Sequence, residues 1–487
     1  MNPAKKPRVH IHELDPTAVV LTMVGVLTAI FMAALDQTIV ATAMPAIVRA
    51  LHGFSSYAGV VSAYLIASTV VLPIGGKLSD VYGRKRLLII GMLWFTLASV
   101  LCGVAGSMTQ LIVYRAVQGL GAGLMQAAAT TTIADLYPPA RRGRAIGLLS
   151  TVSVLASVIG PVLGGYLADG PGWRYVFLIN LPVGLIGAAV VWRYFPRIHR
   201  HKIEDFRIDW WGAITLAAGV IPILLALQEI GERGAWGLGS GMLLALGAVC
   251  CGLFLFAETK AAHPIVPLPA FGDSIIAIGL LNTALSMAAM YGITLFVPLF
   301  MQSVLHTSAQ LSGEILLPLT ATFGITATAT GLLVGRINRY KYLALGGSAI
   351  AVAGCLLLGS ITPDVSRGGL LLYSVITGFG LAVCMPIYNI AVQNAAKLQS
   401  LGVVTSMVYF MRLMSGSVGV AVYGSILAAQ TPTLGMAKAL SHIFYLAAIL
   451  IAVILASTFF LKEIPLRRSN AAPAPGDPSG ADPQLRP

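Results

Sequence analysis

Long, unbroken apolar runs recur from residue 18 to residue 461, and they dictate what this chain can become. Crossing the hydrocarbon core of a bilayer takes about 20 apolar residues of helix. Backbone inside that core must satisfy its own N–H and C=O groups, so spanning segments are helices or closed barrels. Barrel strands show short alternating segments. The runs here are continuous, so the spans are read as helices. Fourteen are predicted: 18–43, 57–78, 87–106, 109–135, 144–168, 174–195, 210–228, 238–258, 274–301, 312–335, 342–360, 368–394, 402–429 and 442–461. Charged residues make up only 10% of the chain, against about 25% in soluble domains. The first run is too long for a signal-peptide core and contains Asp36, so it is read as a retained helix.

A formal net charge of +13 raises the possibility of a nucleic-acid partner. The distribution of the charge argues otherwise. With the N-terminus placed in the cytoplasm, 24 of the 31 basic residues fall on inside segments. Arg84-Lys85-Arg86, Arg141-Arg142 with Arg144, and the stretch from Arg193 to Arg207 are among them. Outside loops hold only Arg49, Arg174, Arg233, Arg367 and Lys438. This is the positive-inside pattern. It predicts a multi-pass protein of the bacterial inner membrane with both termini cytoplasmic, surrounded by lipid and without nucleic acid. The cysteines (Cys102, Cys250, Cys251, Cys355 and Cys384) fall in apolar runs without metal-ligand spacing, and are read as packing residues.

The chain repeats itself at a shift of 259 residues. Tyr114 falls on Tyr373, Gly119 on Gly378, Gly121 on Gly380, Gly143 on Gly402, Gly160 on Gly419 and Gly76 on Gly335. Eight predicted helices separate the copies. That number is even, so the copies run the same way through the membrane, as in parallel-repeat transporters. The expected fold is all-α and polytopic, with two six-helix halves in parallel pseudo-repeat plus an inserted helix pair. The expected division is a tail over 1–17, a first half over 18–195, a linker with spans 7 and 8 over 196–273, a second half over 274–461 and a disordered tail over 462–487. A monomer is expected.

Charges inside spans are the first candidates for chemistry. Asp36 lies within the first span, where an acid costs roughly 2.5–3.5 kcal/mol to insert. It reads as a proton or cation site, the alternative being a carboxylate fixed by a nearby arginine. Arg115, in span 4, lies at a similar depth. The two could pair, for coupling or for architecture alone. Glu314 lies near the outer end of span 10, where it is a coupling residue or a plain interfacial glutamate. Arg412 lies mid-span in span 13, too deep to snorkel easily; it is expected to face a central cavity and to meet an acid, a substrate or backbone carbonyls. No histidine falls mid-span, which leaves carboxylates to carry protons. Tyr64, Gln126, Tyr291, Tyr388 and Phe410 are candidate cavity residues, each also explicable as packing.

Glycines and a loop suggest moving parts. Gly160 and Gly164 flank Pro161 in span 5, and Gly119/Gly123 and Gly331/Gly335 share that small-x3-small spacing, which lets helices approach closely. Pro161 predicts a bend there. The loop from Gly76 to Arg86 reads as a positive-inside loop with a turn glycine or, because it sets Asp80 among basic residues with Gly83 and Arg84 beside it, as a conformational latch.

Gly76 to Arg86 resembles the loop signature of the major facilitator superfamily. Tyr114-Arg115-Ala116-Val117-Gln118-Gly119 resembles its helix 4 motif, whose arginine the resemblance links to proton transfer. Gly160 to Gly165 resembles the helix 5 motif of exporters. Leu35-Asp36-Gln37-Thr38-Ile39-Val40 with Met44-Pro45, and Trp173-Arg174 with Phe177 to Pro182, are similar to the fourteen-helix drug:proton antiporters. The resemblance implies export of hydrophobic compounds, expected to be cationic, in exchange for protons. No cofactor is expected beyond the proton gradient. Export of one lipid or metabolite is the alternative. A membrane enzyme would need clustered nucleophiles, acids or metal ligands, and His199 and His201 stand in a basic loop without further ligands. A receptor or scaffold would need neither the repeat nor the intramembrane charges.

Overall fold

A computed structural model describes residues 16–136, 139–195, 210–233, 237–261, 264, 266, 268–337, 339–396 and 401–465. Residues 1–15 and 466–487 of the tails and the basic loop carrying His199 and His201 lie outside these residues, as does the side chain of Asp80. The start of the tail expected to be disordered is instead held to the fold, where the Tyr340 backbone donates to Glu463 at 2.6 Å and Asn394 to the Pro465 carbonyl at 3.0 Å. Among the described residues the regular structure is all helix, with no strand. The helices are α1 (Pro16–Leu51), α2 (Tyr57–Tyr82), α3 (Arg84–Gly103), α4 (Met108–Leu136), α5 (Pro139–Leu167), α6 (Tyr175–Leu178), α7 (Asn180–Tyr194), α8 (Trp210–Arg233), α9 (Leu238–Lys260), α10 (Ser274–Ser303), α11 (Ala309–Ile337), α12 (Lys341–Gly359), α13 (Arg367–Ala395), α14 (Leu401–Leu434) and α15 (Met436–Phe459). Eleven helices among the described residues are long and apolar enough to cross a membrane.

Local chemistry sets several boundaries. Gly83 (φ 90°) separates α2 from α3, and Gly435 (φ 78°) separates α14 from α15. Side chains avoid that backbone region, so glycine is the residue that turns the chain there. Asp273 caps α10 by accepting from the backbone of Ile275 at 2.8 Å, and Ser366 caps α13 through Gly369 at 3.1 Å. Each satisfies an N–H that the first helical turn leaves orphaned.

Two predicted spans depart most from the structure. The first helix was expected to end before Met44-Pro45, yet α1 runs through Pro45 to Leu51. Proline inside a helix costs about 3 kcal/mol. Burial of Met44, Ile47 and Val48 in the core offsets it. Predicted span 6 is broken at Ile179 into α6 and α7.

Equivalent helices pack alike across the 259-residue shift. Gly121 meets the α3 backbone at Phe95, and Gly380 meets the α12 backbone at Ala351. Gly160 packs on Thr38 of α1, and Gly419 packs on Ala288 of α10. Helices α1–α7 and α10–α15 therefore form two similar sets. The helices α8 and α9 pack on one another through Gly219 and Gly247, and α8 reaches α14 through a bond from Ser425 Oγ to the Leu227 carbonyl.

The small-x3-small reading holds at Gly119 and Gly123, whose missing side chains admit the Tyr64 and Ser68 carbonyls of α2. It fails at Gly331, around which nothing lies within 4 Å of an added Cβ; Gly76 is equally open.

Candidate coupling site

The close approach of α4 to α2 places Arg115, one turn from Gly119, deep between helices. Ser68 Oγ donates to the Gly119 carbonyl at 3.0 Å, and Trp94 Nε1 of α3 donates to the Val117 carbonyl at 2.9 Å. Held from both sides, α4 turns Arg115 towards α1. Arg115 Nη1 donates to Asp36 Oδ2 at 2.5 Å and to Gln118 Oε1 at 2.7 Å, and Nε to the Val60 carbonyl at 3.4 Å. The guanidinium also lies 4.3 Å from the Tyr64 ring centroid.

The other carboxylate oxygen takes two amides. Asp36 Oδ1 accepts from Gln118 Nε2 at 2.9 Å and from Asn180 Nδ2 at 3.2 Å. Asn180 Nδ2 also donates to Ser99 Oγ at 3.0 Å, and Ser99 Oγ to the Phe177 carbonyl at 2.8 Å. Asp36, Arg115, Gln118 and Asn180 are all at most 1% exposed. Thus one charge pair, fully withdrawn from solvent, is completed by two amides from α4 and α7. The pairing that the sequence left open exists. Gln118 and Asn180 were not singled out as site residues. Gln118 sits three residues after Arg115, on the same helix face, so the spacing contained the signal; Asn180 comes from a distant helix, which no spacing reveals.

The next residue on α1 faces elsewhere. Gln37 turns to the second helix set, where Tyr291 of α10 donates its hydroxyl to Gln37 Oε1 at 2.7 Å. Tyr64 stands beside this pair with its hydroxyl buried. Further bonds cross the seam between the sets. Tyr57 donates to the Leu295 carbonyl at 2.9 Å, Gln302 to the Thr42 carbonyl at 3.0 Å, and the Gln310 backbone to Asp169 at 2.6 Å. All three lie towards the end of the bundle that holds residues 52–56. There α5 is wedged between sets: Gly164 meets Thr42 and Ile39 of α1, Gly165 meets Ala309 of α11, and the Pro161 carbonyl meets Gly313.

The remaining candidates divide. Arg412 is half-buried on α14, its guanidinium 5.9 Å from the Tyr409 ring centroid, and within electrostatic reach of the Tyr291 hydroxyl. Tyr291 packs against Gly416, one turn further along. Gln126 is half-buried on α4. Tyr388 does not face the seam: it is buried between α13 and α15 and shares a 2.8 Å hydrogen bond with Thr458. Phe410 is packed into an apolar cluster with residues of α8 and α10. Their aromatic character reflects core packing. Glu314 is exposed on α11, bonded to Gln310 Nε2 at 3.0 Å and outside the Asp36 network. Arg84 is buried where α3 begins.

The family model described as Major Facilitator Superfamily matches residues 26–420. The chain belongs to the major facilitator superfamily. It is 37% identical over 419 residues to the multidrug transporter protein MdtP of Bacillus subtilis, covering 85% of this chain and 76% of that one. Multidrug resistance protein 3 of the same organism is 35% identical over 412 residues, covering 83% and 78%. Among solved structures, an inward-facing, occupied bacterial homologue of the human lysosomal transporter Spinster superposes with a TM-score of 0.70. That match covers 92% of this chain and 97% of the other at 16% identity, and so speaks for the fold. With these relatives, the chain is a drug efflux transporter of this superfamily rather than an enzyme.

Proposed function

We propose that the protein is a proton-coupled antiporter that exports hydrophobic compounds by alternating access. Fourteen helices span the cytoplasmic membrane in this reading, with both termini inside and the two six-helix sets rocking about the seam. The fully buried Asp36–Arg115 pair with its two amides carries the proposal. A charge pair is costly to withdraw from water, and breaking one by removing a partner costs about 3–5 kcal/mol. Protonating Asp36 removes one of the two charges without removing an atom. The arrangement that suits the ionised form then loses its ionic bond, and a different packing of α1 against α4 and α7 becomes competitive. Differential stability of two conformations is what coupling requires.

In the cycle, substrate binds between the sets from the cytoplasm or inner leaflet as Asp36 gives up its proton. The sets open outwards, substrate leaves, and an external proton returns to Asp36. The wedge of α5 between α1 and α11 is the interface that must slide. Broad efflux is favoured over export of a single lipid or metabolite by the multidrug names of the two Bacillus relatives.

Proteoliposomes loaded with a pH-sensitive dye test the proposal with a panel of hydrophobic cations, anions and neutral compounds. At least one compound is expected to drive proton movement in wild-type protein and none in Asp36→Asn reconstituted to the same density. Full substrate-driven proton flux in that variant would sink the assignment of Asp36.

A further inference from the structure

Among the described residues, Asp36 is the one acidic residue in the middle of a helix, while Glu229, Glu258, Asp273 and Glu314 stand near helix ends. Asp36 is already matched by Arg115. Arg412, twelfth of the 34 residues of α14, lies about a third of the way along that helix and has no acidic partner within 4 Å among the described residues. Among the described residues the helix interiors therefore hold one positive charge with no counter-charge, beside the Gln37–Tyr291 contact where the two sets meet. An arginine in a low-dielectric setting cannot shed its proton and remains costly until an anion or strong acceptor reaches it. A lipophilic cation finds the opposite: the one mid-helix acid among the described residues, Asp36, is occupied, and Arg412 repels it.

We propose that the exported substrates are hydrophobic compounds carrying an anionic or strongly accepting group, a lipophilic carboxylate being the type, and that Arg412 binds that group. This rests on the export reading above and reverses the expectation of a cationic substrate. Planar guanidinium matches carboxylate with two parallel hydrogen bonds, while the apolar body lies against the surrounding membrane helices. The charge balance of the cycle follows. One proton in for one monovalent anion out moves the equivalent of two positive charges inward; a neutral substrate moves one and a monovalent cation none. The membrane potential then drives export of anions most strongly.

Equilibrium binding in lipid nanodiscs, without any proton gradient, tests this with three pyrene probes of one shape: pyrenebutyrate, its neutral amide, and a pyrenebutyl trimethylammonium. Partitioning into lipid cancels when proteins are compared. Wild-type protein is expected to prefer the carboxylate. Arg412→Gln is expected to weaken that probe roughly 10- to 150-fold, the range for a hydrogen bond to a charged group. The amide should stay within about 2-fold, since it makes only neutral contacts. Arg412→Lys should retain part of the preference, and unchanged amide binding shows that the variants fold. Ammonium bound as well as carboxylate, no binding of the carboxylate, or equal loss of all three probes in Arg412→Gln overturns the proposal. Because binding is read without proton movement, anion preference with no proton flux would refute the antiport reading alone.

Discussion

Replacing Asp36 and Arg115 by leucine, singly and together, distinguishes the worth of the pair from the cost of orphaning either member. Asp36→Leu leaves the Arg115 guanidinium with the Gln118 carbonyl, the Val60 carbonyl and the Tyr64 ring, all of them neutral. The guanidinium cannot lose its proton, so this loss is expected to stay at about 3–5 kcal/mol whatever the pH. Arg115→Leu leaves Asp36 with the Gln118 and Asn180 amides. A carboxylate has an escape that arginine lacks, because it can take up a proton and become a neutral acid. The penalty of Arg115→Leu should therefore be smaller in acid than at neutral pH. The double variant has no orphaned charge, and apolar replacement of a buried pair is often neutral or stabilising by about 1–4 kcal/mol. It is expected to be more stable than either single variant, with a coupling of at least about 3 kcal/mol. SDS titration of the detergent-solubilised proteins, followed by circular dichroism, reads all four. Single-variant losses that add to within about 0.5 kcal/mol, or an equal pH response in the two singles, would refute the reasoning.

Other perturbations probe packing and the seam. Gly119→Val drives a side chain into the Tyr64 carbonyl and should cost about 1–3 kcal/mol in the same titration. Gly331→Ala, with nothing within 4 Å, should be neutral or gain up to about 1 kcal/mol from helix propensity. Tyr291→Phe removes the hydroxyl that bonds Gln37 across the seam. It should shift the population of seam-open conformers roughly 2- to 12-fold, as read by distances between spin labels on the two sets. Gly165→Leu places a bulky side chain against the Ala309 backbone and should hold α5 and α11 apart. The same distance measurement should then show a lengthened separation near residues 165 and 309, and transport should stop.

What the sequence could reveal followed from its periodicities and its misplaced charges. Asp36 and Arg115 stood out because each is expensive in lipid, and that expense is visible residue by residue. The partners of Asp36 were less visible. Asparagine and glutamine are cheaper than ions, so Asn180 on α7 and Gln118 on α4 do not stand out by cost, although both lie inside the stretches that resemble superfamily motifs. Tyr388 and Phe410 were misplaced for a related reason. An aromatic side chain in a span is equally compatible with a cavity wall and a helix–helix contact, and only the facing helices decide; for Tyr388 the partner, Thr458, is 70 residues away. The length of α1 escaped the sequence because tertiary burial of Ile47 and Val48 outweighed the local preference of Pro45. Gly331 and Gly119 share a spacing but not a surroundings, since a spacing says which face a glycine occupies and not whether a helix lies against it.

The position of the charge pair constrains any coupling mechanism. Asp36 does not lie in the seam: its partners come from α4 and α7, which belong to its own helix set. A proton arriving there cannot act on substrate by direct contact across the seam and must act through a helix. The first helix has the required connections. Successive residues on a helix point about 100° apart, so Asp36 faces inward to Arg115 while Gln37 faces Tyr291 of the other set. Thr38 and Thr42 lie against Gly160 and Gly164 of α5, and α5 in turn meets α11 through Gly165 and Gly313. A change in how α1 seats on α4 and α7 is therefore felt at two seam contacts at once, one of them beside Arg412. On the antiport reading, the proton and the substrate are coupled by the rotation or tilt of α1, and the substitution that should uncouple them without touching either binding group is one at Gln37.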